Sequence, residues 1–128
     1  MENVENKKKL LIIEDDVFIR DIYQIKFEQE GFEVVMAENG VVALEKMETF
    51  LPDAILLDII MPYMDGMEVL QKIKNNQNLK DIPIIMLTNI SEKEKVEKAV
   101  EEGANDYLIK SHFTPSEVVA KVRTLLKM

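Results

Sequence analysis

Five short apolar runs, separated by longer segments with helical spacing, restrict the fold of this chain more than any other feature. Most of the runs are continuously apolar rather than alternating, which is typical of strands covered on both faces of a sheet. They cover residues 10–13, 34–36, 54–57, 84–87 and 107–109. This arrangement predicts five strands, each followed by a helix.

The segments between the runs carry apolar residues on one helical face. Segments 91–94 and 114–117 both match the capping box that starts a helix, and Gly31 and Gly103 fall where helices end. The predicted apolar faces comprise Ile19, Ile22, Tyr23 and Phe27; Ala43, Leu44 and Met47; Val69, Leu70 and Ile73; Val96, Ala99 and Val100; and Val118, Val119, Val122, Leu125 and Leu126.

The alternation of strand and helix favours an α/β fold, in which a doubly wound parallel sheet has helices on both faces. A chain of 128 residues corresponds to one domain. That length buries most of the chain's surface without disulfides or a structural metal. We expect the domain to cover residues 8–128 and residues 1–7 to form a frayed or disordered tail.

Composition excludes several classes of function. The chain has no cysteine and one histidine, His112, so thiolate zinc sites and histidine-rich metal sites are excluded. Its net charge of −8 repels nucleic-acid phosphates, and we expect no direct nucleic-acid partner. No segment resembles a signal peptide or reaches membrane-spanning length, which predicts a cytoplasmic location and no membrane partner.

The chemistry is expected where the strands end, because ligands of open parallel sheets bind outside the carboxyl ends of the strands. The side chains that follow strands 1, 3, 4 and 5 are carboxylates, a hydroxyl and an ammonium. They are Glu14, Asp15 and Asp16; Asp58; Thr88; and Lys110. One edge of the sheet therefore collects at least three carboxylates, one hydroxyl and one ammonium.

Clustered carboxylates repel one another unless they are protonated or share a cation. An acidic pocket with only oxygen ligands suits Mg²⁺, with Mn²⁺ as an alternative ion. The metal and Lys110 would hold a phosphoryl group against Asp58, and Thr88 would add a hydrogen bond. Asp58 would then be the nucleophile that becomes an aspartyl phosphate.

These residues resemble the receiver domain of two-component response regulators, the family with the CheY-like fold. The resemblance rests on Glu14 and Asp15, on Asp58 with the segments 61–62 and 65–66 behind it, on Thr88, and on segment 103–107 leading to Lys110. Each motif alone is weak, but together they cover nearly the whole chain. The resemblance implies the flavodoxin-like, CheY-like strand order 2-1-3-4-5 with five helices.

The resemblance also implies roles for the metal ligands and the phosphoacceptor. Asp58 resembles the phosphoacceptor, and Asp15 resembles the direct Mg²⁺ ligand. Glu14 would hold the metal through water, and the backbone carbonyl of Ile60 would complete the protein ligands. Asp16 falls one place beyond the acidic pair, so we expect it to cap the first helix.

The resemblance implies roles for three further residues. Lys110 resembles the lysine that pairs with phosphoryl oxygens, Thr88 the switch hydroxyl, and Tyr107 the aromatic residue that swings inward behind it. The implied partners are a histidine kinase or histidine phosphotransfer domain, which docks at helix 1, and a downstream protein that binds the helix 4–strand 5–helix 5 surface. The chain would be a monomer or weak dimer, and it would be a signalling domain rather than an enzyme beyond its own phosphorylation and dephosphorylation.

The sequence departs from the family pattern near Lys110 and near the phosphate. The lysine is commonly followed by proline in a cis peptide, but here Ser111 follows. The Lys110–Ser111 bond is therefore either trans with a shifted loop or cis at some cost, and we favour the cis form. Ile60 and Ile90 are apolar where many relatives are polar. We therefore expect slow autodephosphorylation, because apolar side chains hinder the attacking water.

Two alternatives remain at this point. The first is a degenerate receiver that acts as a phosphorylation-independent binding scaffold. The second is a different doubly wound protein, either an FMN carrier or a dehalogenase-type phosphatase. Glu14 and Asp15 would repel the FMN phosphate, and the phosphatases' second aspartate is absent, since Ile60 stands two places after Asp58. The sequence does not indicate whether the chain acts alone or belongs to a longer protein.

Overall fold

The computed structural model describes residues 7–89 and 92–128. These residues form a five-stranded parallel sheet with the order β2-β1-β3-β4-β5. The elements are β1 (Lys9–Ile13), α1 (Val17–Gln29), β2 (Glu33–Ala37), α2 (Gly40–Lys46), β3 (Ala54–Asp58), α3 (Gly66–Lys74), β4 (Ile84–Thr88), α4 (Lys93–Glu101), β5 (Asp106–Ile109) and α5 (Pro115–Leu125). The predicted fold class, strand order and alternation are confirmed.

The sheet separates two apolar cores, because successive side chains of a strand point to opposite faces. Leu10, Ile12 and Leu56 lie on the side of α1 and α5, where they pack with Phe27 and Val122. Residues next to them in β1 and β3 lie in the second core with residues of α2, α3 and α4. Every residue of β3 and β4 is buried, which explains their continuously apolar sequences.

Local capping fixes where α1 begins and ends. The Asp16 carboxylate accepts hydrogen bonds from the backbone N–H groups of Phe18 and Ile19, so this residue caps the helix as predicted. Gly31 follows the helix with a φ of +94°, a left-handed conformation that favours glycine. These two caps direct the chain out of β1 and back into β2.

The second predicted capping box, at the start of α5, is present. The Thr114 hydroxyl accepts a hydrogen bond from the Glu117 N–H, and the Glu117 carboxylate accepts one from the Thr114 N–H. The box predicted at Ser91 and most of the predicted N-terminal tail, residues 1–6, lie outside the described residues. Within the described ranges, no helix has the length and apolar composition needed to cross a bilayer.

Candidate functional site

Three carboxylates converge at the carboxyl ends of β1 and β3. These strands are neighbours in the sheet, so the residues that end them lie side by side. One carboxylate oxygen from each of Glu14, Asp15 and Asp58 lies within 4.8 Å of the others. Glu14 is fully buried and Asp58 is 5% exposed, whereas Asp15 is exposed. The predicted convergence of residues 15 and 58 is therefore present.

The loop between β1 and α1 is held by hydrogen bonds to the backbone and side chain of Glu14. The Glu14 N–H donates to the Ala37 carbonyl at 3.0 Å, which extends the pairing of β1 with β2. One Glu14 carboxylate oxygen accepts from the Asp16 N–H at 3.1 Å. The Arg20 guanidinium donates to the Glu14 carbonyl at 3.0 Å. Sequence reasoning left Arg20 unassigned, since only the folded loop brings it to this carbonyl.

Lys110 reaches this cluster from the end of β5. Its Nζ lies 2.8 Å from Glu14 Oε1 and 3.3 Å from Asp58 Oδ2, so the ammonium bridges two buried carboxylates. Within the described residues, no other group donates a hydrogen bond to Glu14 Oε1, so this buried oxygen depends on the Lys110 ammonium. The predicted approach of Lys110 to Asp58 is present, but the simultaneous contact with Glu14 was not foreseen.

The expected cis bond between Lys110 and Ser111 is wrong, because this bond is trans. From Lys110 to His112 the chain forms a short 3₁₀ helix before Thr114 caps α5. A cis bond before a residue other than proline costs about 2.5–4 kcal/mol. With the trans bond Lys110 already contacts both carboxylates, so the site does not require the cis form.

Burial and the neighbouring charges shift the ionisation of the site. Burial, followed by the charge of Glu14, raises the pKa of Asp58 to about 7, although Lys110 opposes the shift. For Lys110, burial alone would lower the pKa. The hydrogen bond to Glu14 and the charges of Asp58 and Glu14 outweigh it, so the pKa of the ammonium is raised. Lys110 is therefore charged at neutral pH, whereas Asp58 changes its protonation state near neutral pH, since its pKa is about 7.

The loop from β3 to α3 folds back onto the backbone of Asp58. Gly66 donates its N–H to the Ile59 carbonyl at 2.6 Å. A Cβ atom on Gly66 would lie 2.3 Å from the Asp58 carbonyl oxygen and 2.7 Å from the Ile59 Cα. Asp65 caps α3 by accepting a hydrogen bond from the Glu68 N–H. Glycine is thus required at this position by the close approach of two backbone segments.

Thr88 and Tyr107 lie on adjacent strands, on the side of the site toward α4. Thr88 is buried at the end of β4, and its hydroxyl donates to the Asn89 carbonyl at 3.0 Å instead of to a carboxylate. Tyr107 is 44% exposed. Both residues line a groove of about 440 Å³ whose walls also include Val96, Val100 and Ile109.

Of the two isoleucines expected near the phosphate, the structure describes only Ile60. Ile60 stands two residues after Asp58, just beyond β3, and is 43% exposed. Ile90 lies outside the described residues.

The donor set fits a hard divalent cation. Three carboxylates face a single ammonium in this cluster, so the local charge is negative even with Lys110 in place. All the candidate ligand atoms are oxygens, and the exposed position of Asp15 leaves room for the water ligands that Mg²⁺ retains. The residues present can therefore hold a metal ion of this class.

Known proteins match this sequence and fold. The family model for the response regulator receiver domain matches residues 10–123. The transcriptional regulatory protein PhoP for alkaline phosphatase synthesis, from Bacillus subtilis, is 38% identical over 94% of this chain and 49% of its own length. The Francisella response regulator 1452 receiver domain superposes with a TM-score of 0.85 at 32% identity, covering 94% of this chain and 98% of that chain.

A further solved structure contains a metal ion. The receiver domain of the sensor histidine kinase PA1611 from Pseudomonas aeruginosa superposes with a TM-score of 0.85 at 26% identity, covering 95% of this chain and 99% of that chain. It has a magnesium ion coordinated in its active-site cleft.

The curated relatives correct one expectation about partners. The chain spans about half the length of those relatives, which are named as transcriptional regulators. The net charge of −8 describes this domain only and says nothing about residues that a longer protein would add. The expectation of no nucleic-acid partner therefore does not extend beyond this domain.

Receiver domains are signalling domains rather than classical enzymes, and their partners are histidine kinases. The match over residues 10–123, the sheet order and the carboxylate cluster all agree with this assignment. The chain belongs to the response regulator receiver domain family.

Proposed function

We propose that this chain accepts a phosphoryl group on Asp58 from the phosphohistidine of a kinase or phosphotransfer domain. The observation that carries this proposal is the convergence of the Glu14, Asp15 and Asp58 carboxylates, two of which, Glu14 and Asp58, contact the Lys110 ammonium. In the transfer, an Asp58 carboxylate oxygen bonds to phosphorus while the bond from phosphorus to the histidine nitrogen breaks. The imidazole nitrogen then takes up a proton from solvent.

Each residue of the cluster has a distinct task in this proposal. Asp15, Asp58 and the Ile60 backbone carbonyl would hold Mg²⁺ or Mn²⁺ directly, and Glu14 would hold it through water. When bound, the ion offsets the negative charge of the phosphoryl oxygens. Lys110 exchanges its contact with Asp58 for one with a phosphoryl oxygen. The magnesium in the cleft of the Pseudomonas receiver supports this choice of ion.

Phosphorylation is proposed to change the surface formed by α4, β5 and α5. Thr88 would turn its hydroxyl from the Asn89 carbonyl toward the phosphoryl group, and Tyr107 would follow into the groove that both residues line. The half-exposed ring and the groove of about 440 Å³ supply the space for this movement. A downstream protein would read the result, including, in a longer protein, an attached DNA-binding domain.

The test is intact mass after incubation with acetyl phosphate and Mg²⁺. The parent chain should gain one phosphoryl group, and Asp58→Asn should gain none. Asp21→Asn, which removes an exposed carboxylate from α1, should gain one as the parent does. Omitting Mg²⁺ or adding EDTA should prevent the gain. Modification of Asp58→Asn, or none in the parent, would refute the proposal.

The donor protein is proposed to cover the apolar side chains beside the site. Asp58 is recessed, so a donor histidine reaches it only if the donor packs against the surrounding rim. Val17 and Phe18 begin α1 at this rim, and Tyr63 lies in the loop after β3. Phe18 is 77% exposed and Tyr63 is 88% exposed, as suits residues that a partner buries.

Phe18→Ser should slow transfer from a protein donor about tenfold, as expected for an aromatic contact residue, and leave acetyl phosphate labelling unchanged. The donor is whichever autophosphorylated kinase core, from a purified panel, labels the parent fastest. Leu51→Ser is the control, since Leu51 is 57% exposed but precedes β3 at the opposite end of the sheet. Equal transfer to Phe18→Ser and the parent would contradict this docking surface.

The apolar side chain of Ile60 is proposed to slow hydrolysis of the aspartyl phosphate by excluding and failing to orient water. Ile60→Asn together with Ile90→Glu should speed dephosphorylation about tenfold or more, because polar groups can position the attacking water. The measurement is the decay of phosphorylated chain after acetyl phosphate is removed. Ile25→Asn on the exposed side of α1 is the matched control. An unchanged decay rate in the double variant would count against this proposal.

The degenerate-receiver alternative finds no support. A scaffold that never takes a phosphoryl group has no use for buried carboxylates beside a charged lysine, an arrangement that costs stability. Here Glu14 and Asp58 are both buried against Lys110. As a separate part of the proposal, we expect the signalling domain to cover residues 8–128.

A further inference from the structure

The two arginines of the sequence both donate to main-chain carbonyls at the ends of α1. Arg20 donates to the Glu14 carbonyl, before the helix, at 3.0 Å. Arg123 donates to the Glu30 carbonyl, after the helix, at 3.0 Å and to the Glu30 carboxylate at 2.9 Å. The same type of contact therefore occurs once beside the carboxylate cluster and once at the far end of the helix.

Asp15 lies between two residues whose backbone positions are held. On one side, Glu14 is held through its N–H by Ala37, through its carbonyl by Arg20 and through its carboxylate by Lys110. On the other side, Asp16 caps α1 and donates its N–H to the Glu14 carboxylate. The orientation of Asp15 toward Asp58 depends on these neighbouring contacts.

Arg20 makes two of the contacts that hold this loop. Its backbone N–H donates to the Asp16 carbonyl at 2.9 Å, in the regular helical pattern. Its guanidinium reaches back to the Glu14 carbonyl, so the first turn of α1 is fastened to the end of β1 across Asp15. The backbone contact survives any substitution except proline, whereas the guanidinium contact depends on the side chain.

We propose that Arg20 is a positioning residue that holds Glu14 and Asp15 in the geometry needed to bind the divalent cation. This inference rests on the proposed metal site and adds to it a residue that contacts neither metal nor phosphate. Groups that orient metal ligands typically change metal affinity about 10–100-fold when they are removed.

The charge of Arg20 and its hydrogen bond predict opposite changes in Mg²⁺ affinity when the side chain is removed. A guanidinium near the site repels Mg²⁺, so losing its charge would by itself tighten metal binding. Losing the hydrogen bond to Glu14 frees the loop and weakens binding. The direction of the change in Mg²⁺ affinity therefore distinguishes a positioning residue from a nearby charge.

Arg123→Gln is the matched control, since it removes the same charge and the same kind of carbonyl contact, together with an ion pair to Glu30. At 1.5 Å per residue, α1 separates the two contacts by roughly 20 Å, more than twice the Debye length of about 8 Å in physiological salt. A loss of helix stability would affect both variants, whereas a loss of loop geometry would affect only Arg20→Gln.

The experiment is calorimetric titration of Mg²⁺ into the parent chain, Arg20→Gln, Arg20→Lys and Arg123→Gln, with urea unfolding of each in EDTA. Arg20→Gln should bind Mg²⁺ about tenfold more weakly. Arg20→Lys should retain part of the affinity, and Arg123→Gln should match the parent. The urea midpoint of Arg20→Gln should shift no more than that of Arg123→Gln, which also loses the ion pair with Glu30.

Unchanged or tighter Mg²⁺ binding by Arg20→Gln would overturn the inference, as would an equal loss of affinity in Arg123→Gln. If Arg20→Gln does not fold, Arg20→Lys decides: affinity below the parent's supports positioning, and equal affinity refutes it. A parent chain that binds no Mg²⁺ would refute the proposed metal site itself, whereas normal parent binding with unaffected variants would refute this inference alone.

Discussion

Gly66→Ala is expected to destabilise the domain by about 3 kcal/mol or more, the upper part of the range for overpacking. The added Cβ would lie 2.3 Å from the carbonyl oxygen of Asp58 and 2.7 Å from the Cα of Ile59. These are backbone atoms of a fully buried strand and the residue after it, so no flexible side chain can move to make room. Urea unfolding of the parent and variant in EDTA gives the free-energy difference.

Gly31→Ala is the control for this prediction, because Gly31 is favoured by its backbone conformation and not by a close contact. Gly31 has a φ of +94°, but a Cβ there would meet nothing within 4 Å. It should cost about 1–2 kcal/mol from the left-handed backbone conformation. Gly66→Ala should also slow acetyl phosphate labelling of Asp58, because the backbone that carries the carboxylate must shift. Equal stability losses in the two variants, with normal labelling, would show that the contact at Gly66 is unimportant.

Asp58→Asn should stabilise the metal-free domain, and the gain should be larger at pH 8 than at pH 5. Burial raises the pKa of Asp58 to about 7 in the folded state, against an ordinary value of 3.8. Between these values the folded chain binds a proton that the unfolded chain has lost, so stability contributed by this group falls as pH rises toward 7. Asparagine has no such ionisation.

The size of this effect follows from the linkage between protonation and folding. From pH 5 to pH 8, the advantage of Asp58→Asn should grow by roughly 3 kcal/mol, since each unit between pH 5 and a pKa near 7 contributes 1.36 kcal/mol. Urea unfolding at the two pH values in EDTA measures it. Asp21→Asn, on the exposed surface of α1, controls for the loss of one carboxylate. An advantage that stays constant or shrinks toward pH 8 would contradict the raised pKa.

Local sequence patterns were sufficient to predict the strands and the helix caps at Asp16 and Thr114. The apolar runs of β3 and β4 are buried throughout, and burial on both faces leaves no reason for polar alternation. Asp16 and Thr114 cap helices because short oxygen-bearing side chains satisfy the free N–H groups of a first turn. These outcomes depend on interactions within a few residues.

The position of the site was also predictable, because parallel strands bring their carboxyl ends to one edge of a sheet. The convergence of Asp15 and Asp58 depends only on β1 and β3 being neighbours in the sheet. The contact of Lys110 with Glu14, by contrast, depends on how far a long side chain reaches across two intervening strands. The pKa of about 7 at Asp58 likewise depends on burial and on that three-group arrangement.

By itself, the sequence determined the α/β alternation, the helix caps at Asp16 and Thr114 and the set of groups that meet at the strand ends, since these follow from periodicity, capping and chain direction. Only the tertiary structure decided the trans bond after Lys110, the contact of Gly66 with the backbone of Asp58, and the reach of Arg20 to the Glu14 carbonyl. Each of these depends on distances of a few tenths of an ångström between segments that the linear pattern does not relate.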